Sequence, residues 1–244
     1  MTLLEKKITD DTLFNGNVRC AQHEDGYRFS VDAVLLGHFV APAKAGSVLD
    51  LGSGCGVISL ILAHRHPHVT ISCLELQAEL LTLIQRNIIT NNFEDRLHAQ
   101  QGNVTTIAKV VEPESFDLVV CNPPYGGLET GRLSKGPEQA IARHEVQAKV
   151  VDFVKAAAFA VKNKGRVAFV FPASRLTYLI RAMKDVRLEP KRLQVVHSYP
   201  DGPGKLLLVE AVKNGGEELT VLPPFFVYGS PGGEYTPEMA AMFV

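Results

Sequence analysis

The segment Asp50-Leu51-Gly52-Ser53-Gly54-Cys55-Gly56 constrains this chain most. It follows the short apolar run Ser47–Leu51 and leads into an apolar stretch over residues 57–66. Three alternate glycines between a strand and a helix allow backbone conformations, and a closeness of ligand approach, that a Cβ would resist. The dinucleotide fingerprint G-x-G-x-x-G/A, read from Gly52, needs a small residue where this chain has Val57, and no Lys-Ser/Thr pair completes a phosphate loop. Glu75 ends the next apolar run, 25 residues after Asp50. An acid in that position accepts hydrogen bonds from both hydroxyls of an adenosine ribose. Glycine loop and acid together predict an adenosine-containing ligand.

Around this loop the hydrophobic periodicity alternates. Strands are predicted at residues 47–51, 69–74, 96–100, 116–121 and 166–171, and helices at 57–66, 77–92, 145–162 and 175–186. Pro67 ends the first of these helices, and Gly165 is read as the stop of the 145–162 helix. Residues 193–197 and 206–212 flank the turn-like Pro200–Gly204 segment and predict an antiparallel pair. A further helix is expected near residues 31–40, a polar loop over 122–143, and an irregular tail over 222–244. The fold class that follows is α/β, a doubly wound, Rossmann-like, mostly parallel sheet with an antiparallel C-terminal edge pair. With no repeat and no linker, residues 1–244 read as one domain: an extension at 1–46, a core at 47–213 and a tail at 214–244.

The fourth core strand ends in Asn122-Pro123-Pro124-Tyr125, at the edge where doubly wound sheets bind substrates. An exocyclic amino nitrogen on an aromatic ring or amide is a poor nucleophile because its lone pair is delocalised. The Asn122 side-chain carbonyl and the Pro123 main-chain carbonyl could accept hydrogen bonds from such a group and favour a localised lone pair. Pro124 stiffens the turn, and Tyr125 could stack on the planar substrate. The chemistry needs neither a metal nor a covalent nucleophile.

The spacing D-x-G-x-G-x-G resembles the first motif of class I methyltransferases. That resemblance implies a loop of Gly52, Ser53, Gly54 and Gly56 cradling the methionine part of S-adenosylmethionine, with Asp50 beneath it and Glu75 at the ribose. Leu76 would flank the adenine, and Asn103, with Val104 after it, would stand where many relatives carry an Asp for the adenine amino group. Asn-Pro-Pro-Tyr resembles the motif of enzymes methylating adenine N6, cytosine N4, guanine N2 or a glutamine amide. The chain as a whole, from about Leu13 onward, resembles the bacterial tRNA1(Val) adenine-37 N6-methyltransferases. The matching pieces are residues 26–36 (GYRFSVDAVLL), the glycine loop, Asn122–Tyr125, residues 142–145 (ARHE), 174–176 (SRL), 196–215 and 234–239. This implies methylation of the adenosine just 3′ of the anticodon. In the resemblance Phe29, Asp32 and Asn122 also lie against the cofactor; Asp32 reads equally as an ordinary acid at a helix start. A glutamine-amide or ribosomal guanine-N2 methyltransferase, and a non-catalytic binder of the cofactor, are the alternatives.

Charge gives the substrate a place. Residues 132–213 hold 16 Lys/Arg against 7 Asp/Glu, whereas residues 1–131 hold 9 against 15 and residues 214–244 hold 0 against 4. A basic block of this size could face a polyanion. Arg132, Lys135 and Arg143, near the substrate loop, are the expected phosphate contacts, with a tRNA anticodon arm as partner. The four cysteines are widely spaced with no CxxC pair, so neither a zinc site nor a disulfide framework is expected, and a reducing, cytoplasmic setting fits. No apolar run reaches the roughly 18 residues of a membrane-spanning helix.

Overall fold

The computed structural model describes residues 7–24, 30–124 and 149–244. Phe29, Tyr125, Arg132, Lys135 and Arg143, all expected at the site, lie outside the described residues.

The chain opens with an antiparallel hairpin, β1 (Ile8–Leu13) and β2 (Val18–His23), followed by α1 (Val31–Phe39). The core then runs β3 (Ser47–Leu51), α2 (Val57–Arg65), β4 (Thr70–Glu75), α3 (Ala78–Thr90), β5 (Leu97–Gln101) and a 3-10 segment Val104–Lys109. It continues through β6 (Phe116–Cys121), α4 (Val150–Ala160), β7 (Val161–Pro172), α5 (Leu176–Asp185), β8 (Leu188–His197) and β9 (Gly204–Lys213). Two-residue strands β10 (Thr220–Val221) and β11 (Phe225–Phe226) and a short α6 (Pro237–Ala240) complete the described elements. The sheet order is β10-β8-β9-β7-β6-β3-β4-β5, with β11 also on β8; β9 is antiparallel to both of its neighbours, and the other pairings are parallel. The predicted antiparallel pair is thus β8–β9, and β10 and β11 extend the sheet beyond it.

Alternate strand residues face two separate cores, as the two-residue repeat of a pleated strand requires. Val48, Leu118, Val120, Ala168 and Val170 pack with α1, α2 and α3. Leu49, Leu51, Val119, Cys121, Val167 and Phe169 pack with α4 and α5. Burial on both faces explains why the central strands read as continuous apolar runs. Gly37 lets α1 approach α2: a Cβ there would fall 2.8 Å from Ile61 Cγ2.

Three expectations need correction. The helix read as 145–162 is described as Val150–Ala160, and β7 begins at Val161 without a break. Gly165 does not end a helix. It lies within β7 beside the register shift against β6, where a Cβ would meet Val161 Cγ2 at 2.7 Å and the Asp117 carbonyl at 3.1 Å. The tail is not irregular throughout. Thr236 caps α6 through Met239 N–H (3.2 Å), Met239 is fully buried, and Asn15 N–H donates to the Phe243 carbonyl (3.3 Å). Elements two to four residues long carry too little periodicity to be read from sequence, although Thr236-Pro237 is itself a helix-start signature. The β1–β2 hairpin also escaped the sequence reading. Its signal was Asn15-Gly16, both with positive φ in the turn.

The hairpin is fastened to the glycine loop by one buried amide. Asn87 Oδ1 accepts from Ala21 N–H (2.7 Å), while its Nδ2 donates to the carbonyls of Ala21 (3.1 Å) and Cys55 (2.9 Å). Asn87→Ala strands these buried backbone groups, and should lower stability by about 2–4 kcal/mol in urea unfolding. Asn91→Ala, at the half-buried C-cap of the same helix, removes the matching amide bonds to Arg19 (2.8 and 2.7 Å) where water can replace them, and serves as the comparison. Equal small losses in both would contradict the clasp.

Candidate functional site

The chain passes from β3 to β4 on one side, then returns through β5 to place β6 on the other. The switch point therefore lies between β3 and β6, and the crevice beyond their carboxyl ends is the ligand position of such sheets. Leu51 is in register with Leu74 on β4 and with Cys121 on β6. Glu75, the last residue of β4, and Gly52 and Asn122, the first residues after β3 and β6, therefore stand at the ends of three adjacent strands. The sequence separated these residues by up to 70 positions, and the sheet brings them to neighbouring strand ends. Pro123 is buried and Pro124 exposed directly after them.

The glycine loop takes the shape its sequence predicts. Gly52, Gly54 and Gly56 have φ of 69°, 60° and 85°. Gly52 N–H donates to the Leu74 carbonyl (2.8 Å) and Gly56 N–H to the Ser53 carbonyl (2.8 Å). Ser53 Oγ donates to the Asp50 carbonyl (2.8 Å). Phe153 on α4, which sequence reasoning missed, closes one side: its Cε1 stands 3.0 Å from where a Gly52 Cβ would be. Its only sequence signal was membership of an apolar helix face.

Two buried acids lie under and beside the loop. Glu75 accepts from Gly54 N–H and Gln77 N–H, both at 2.9 Å. Burial lifts its carboxyl above the usual range even though these backbone donors oppose the shift. Asp50 is wholly buried; one carboxylate oxygen accepts from Ser59 Oγ (2.7 Å) and the other has no hydrogen-bond partner among the described residues. Leu76, next to Glu75, is 45% exposed, an apolar side chain presented at the edge of the acid. Gln101 Nε2 donates to the Leu76 carbonyl (3.0 Å) and steadies that segment.

Asn103 stands one step along, but its Oδ1 accepts from Thr105 N–H and Thr105 Oγ1, both at 2.9 Å, capping the 3-10 segment. Its carbonyl thus has local donors at the position where the resemblance places an acceptor for the adenine amino group. Val104 is buried behind it. Asp32 sits in the first turn of α1. Two of the nearby thiols are poor nucleophiles: Cys73 and Cys121 are buried, and burial pushes Cys73 up to about 12 and Cys121 well above its usual value. The described site thus offers a backbone cradle, two buried acids and an amide-bearing turn, an arrangement suited to orienting two reactants.

The methyltransferase small domain family matches residues 30–185. A tRNA1(Val) (adenine(37)-N6)-methyltransferase of Porphyromonas gingivalis is 29% identical over 189 residues, covering 75% of this chain and 73% of its own. One of Vibrio vulnificus is 29% identical over 191 residues, covering 78% and 77%. Among solved structures, a predicted O-methyltransferase of Agrobacterium tumefaciens superposes with TM-score 0.71 at 21% identity, over 86% of this chain and 94% of that one. A P. horikoshii protein solved with MeSAdo gives TM-score 0.61 at 15% identity, over 86% and 73%. These likenesses bear out the doubly wound fold.

The Asp50 carboxyl is pushed up to about 7, first by burial and further by the charge of Glu75, against the Ser59 hydrogen bond. With the folded value raised, the native state binds more protons than the unfolded chain between about pH 4 and pH 7. The contribution of Asp50 therefore favours folding below that window and is lost as pH rises through it. In the ligand-free protein, Asp50→Asn should flatten the fall in urea midpoint between about pH 5 and pH 8, an effect on the order of a few kcal/mol. An unchanged slope would contradict the assignment.

Proposed function

This chain belongs to the methyltransferase small domain family, and from that premise we propose that it transfers a methyl group from S-adenosylmethionine to an exocyclic amino nitrogen, adenine N6 in a tRNA anticodon loop. The observation that carries the reading is the placing of Glu75, Gly52 and Asn122 at adjacent strand ends of the sheet's switch point. It sets a nucleoside-binding acid, a glycine cradle and an amide acceptor side by side. S-adenosylmethionine supplies an electrophilic methyl on a sulfonium, beside an ammonium and a carboxylate.

The residues present fit that cofactor. Asp50, with a buried oxygen unpartnered among the described residues, and Glu75, both pushed up by burial, form an anionic floor that a cationic ligand would stabilise. Each Glu75 oxygen spends one lone pair on the backbone and keeps acceptor capacity for a ribose hydroxyl. Gly52, Ser53, Gly54 and Gly56 would hold the amino-acid end, and Leu76 and Val104 would flank the base. The local bonds of Asn103 make it a support for this wall.

At the acceptor end, the Asn122 side-chain carbonyl and the Pro123 carbonyl would take the two amino hydrogens. The nitrogen lone pair would then point toward the methyl carbon; as the N–C bond forms the sulfonium C–S bond would break, leaving S-adenosylhomocysteine, and the nitrogen would shed one proton to solvent. Holding both reactants in line supplies much of the rate. The names of these relatives support adenine in tRNA, as does the basic block downstream of Asn122. Residues 1–244 are read as one methyltransferase domain, since the hairpin and tail share the core of α1 and α2.

Labelled methyl transfer into total bacterial tRNA, followed by nuclease digestion and nucleoside identification, tests this. N6-methyladenosine is the expected product. Asn122→Ala should lower kcat by about 100-fold or more while leaving the cofactor Kd within about threefold, and Glu75→Gln should raise that Kd by about 10-fold or more. Label in protein that survives RNase would overturn the tRNA reading; no transfer to any acceptor would overturn the enzyme reading.

A further inference from the structure

Most cations of the described part of the basic block are already engaged. Arg166 and Arg192 share the buried Glu210 (3.4 and 3.3 Å), Lys162 pairs with Asp117 (2.7 Å), Lys184 with Glu189 (2.6 Å) and Lys213 with Glu114 (2.9 Å). Lys164 and Lys191 donate to main-chain carbonyls of residues 214–217. Arg166 and Arg192 thus join β7 and β8 to β9, Lys162 joins β7 to β6, and Lys184 joins α5 to β8.

Arg175 differs. Its guanidinium lies 5.4 Å from the Phe171 ring centre and 4.9 Å from that of Tyr178, with no carboxylate at ion-pair distance among the described residues. Phe171 is buried, whereas Tyr178, on the first turn of α5, is 38% exposed. Lys205 is exposed and likewise has no ion-pair partner among the described residues. Pro172 is in register with Leu206, and Gly204 lies against Ala173, a Cβ there falling 3.7 Å from Ala173 Cβ. Arg175, Tyr178 and Lys205 therefore gather at the carboxyl end of β7. That end lies one strand from Asn122, since Cys121 pairs with Phe169.

We infer that Arg175, Tyr178 and Lys205 form a second RNA contact beside the methyl-acceptor site, where a nucleotide flanking the target base stacks on the Tyr178–Arg175 pair and its phosphate meets Lys205. The inference rests on the proposed tRNA reading and deepens it. A single-stranded loop suits the surface, because an exposed ring held by a cation offers a stacking face to any base, and a cation not already paired to a carboxylate can replace counterions on a phosphate. The engaged lysines and arginines of the same block lack that capacity. The surface makes no demand on base identity, so it would position the loop and leave selection of the adenine to the Asn122 crevice.

The test is fluorescence anisotropy of a labelled RNA hairpin with the sequence of a valine tRNA anticodon arm, run beside methyl transfer into the same RNA. Tyr178→Ala should weaken RNA binding by about 5- to 100-fold, with Tyr178→Phe restoring it because the ring is what stacks. The cofactor Kd should not move. Lys205→Ala should reduce the slope of log K against log salt by about 1. If the unaltered protein binds and methylates the hairpin while Tyr178→Ala and Lys205→Ala bind it equally well, the inference falls and the tRNA reading stands. If the unaltered protein does not bind the hairpin, both fall. Loss of binding in Tyr178→Phe equal to that in Tyr178→Ala would also overturn stacking as the cause.

Discussion

The buried carboxylate of Glu75 is the constraint on which the site depends. Its two oxygens receive backbone N–H groups from Gly54 and Gln77, one from the glycine loop and one from the start of α3. A carboxylate this deep is disfavoured by desolvation, and the backbone donors offset part of that penalty. They also fix the loop against the end of β4, so that three glycines with positive φ settle on one conformation. Asp50, one strand away and deeper, adds a second acid with an oxygen unpartnered among the described residues. A domain that keeps two acids in such a place gives up stability there, as functional sites commonly do. In the proposed reading the cationic cofactor restores it.

Everything around that carboxylate is arranged by sheet topology. The reversal of strand order between β3 and β6 opens the crevice, and the register of Leu51 with Leu74 and Cys121 sets Glu75, Gly52 and Asn122 at adjacent strand ends. Phe153 walls the loop from α4, and Asn87 braces it from the far side through Cys55. The hairpin and the tail meet where Asn15 donates to Phe243. The hairpin and the C-terminal segment thereby share the core beneath α1 and α2.

The sequence made the central elements legible because their signals are strong: compact apolar runs for β3 and β6, a 3.6-residue repeat for α3, and glycines that only a left-handed turn requires. It was weaker wherever long-range contact decides the outcome. Gly165 looked like a helix stop, and what demands glycine there is the close approach of Val161 and Asp117 across a register shift. Asn103 was read only for its place beside the adenine, and its bond from the Thr105 N–H had no pattern to announce it. Phe153 and Asn87 had no readable pattern, since one is an ordinary apolar helix residue and the other a buried polar group whose partners come from a hairpin about 65 residues earlier. The net charge of residues 132–213 pointed to a polyanion, and only the geometry separates cations paired with carboxylates, such as Arg166 and Arg192, from those with none among the described residues, such as Arg175 and Lys205.

The central claim is that the cofactor occupies the crevice formed by the ends of β3, β4 and β6. A crystal structure with S-adenosylhomocysteine tests it most directly. The account predicts the ribose at Glu75, the adenine beside Leu76 and the amino-acid end along residues 52–56. A ligand bound elsewhere, such as the apolar groove between α5 and β8 lined by Ile180 and Leu193, or bound in the crevice without touching Glu75, would contradict it.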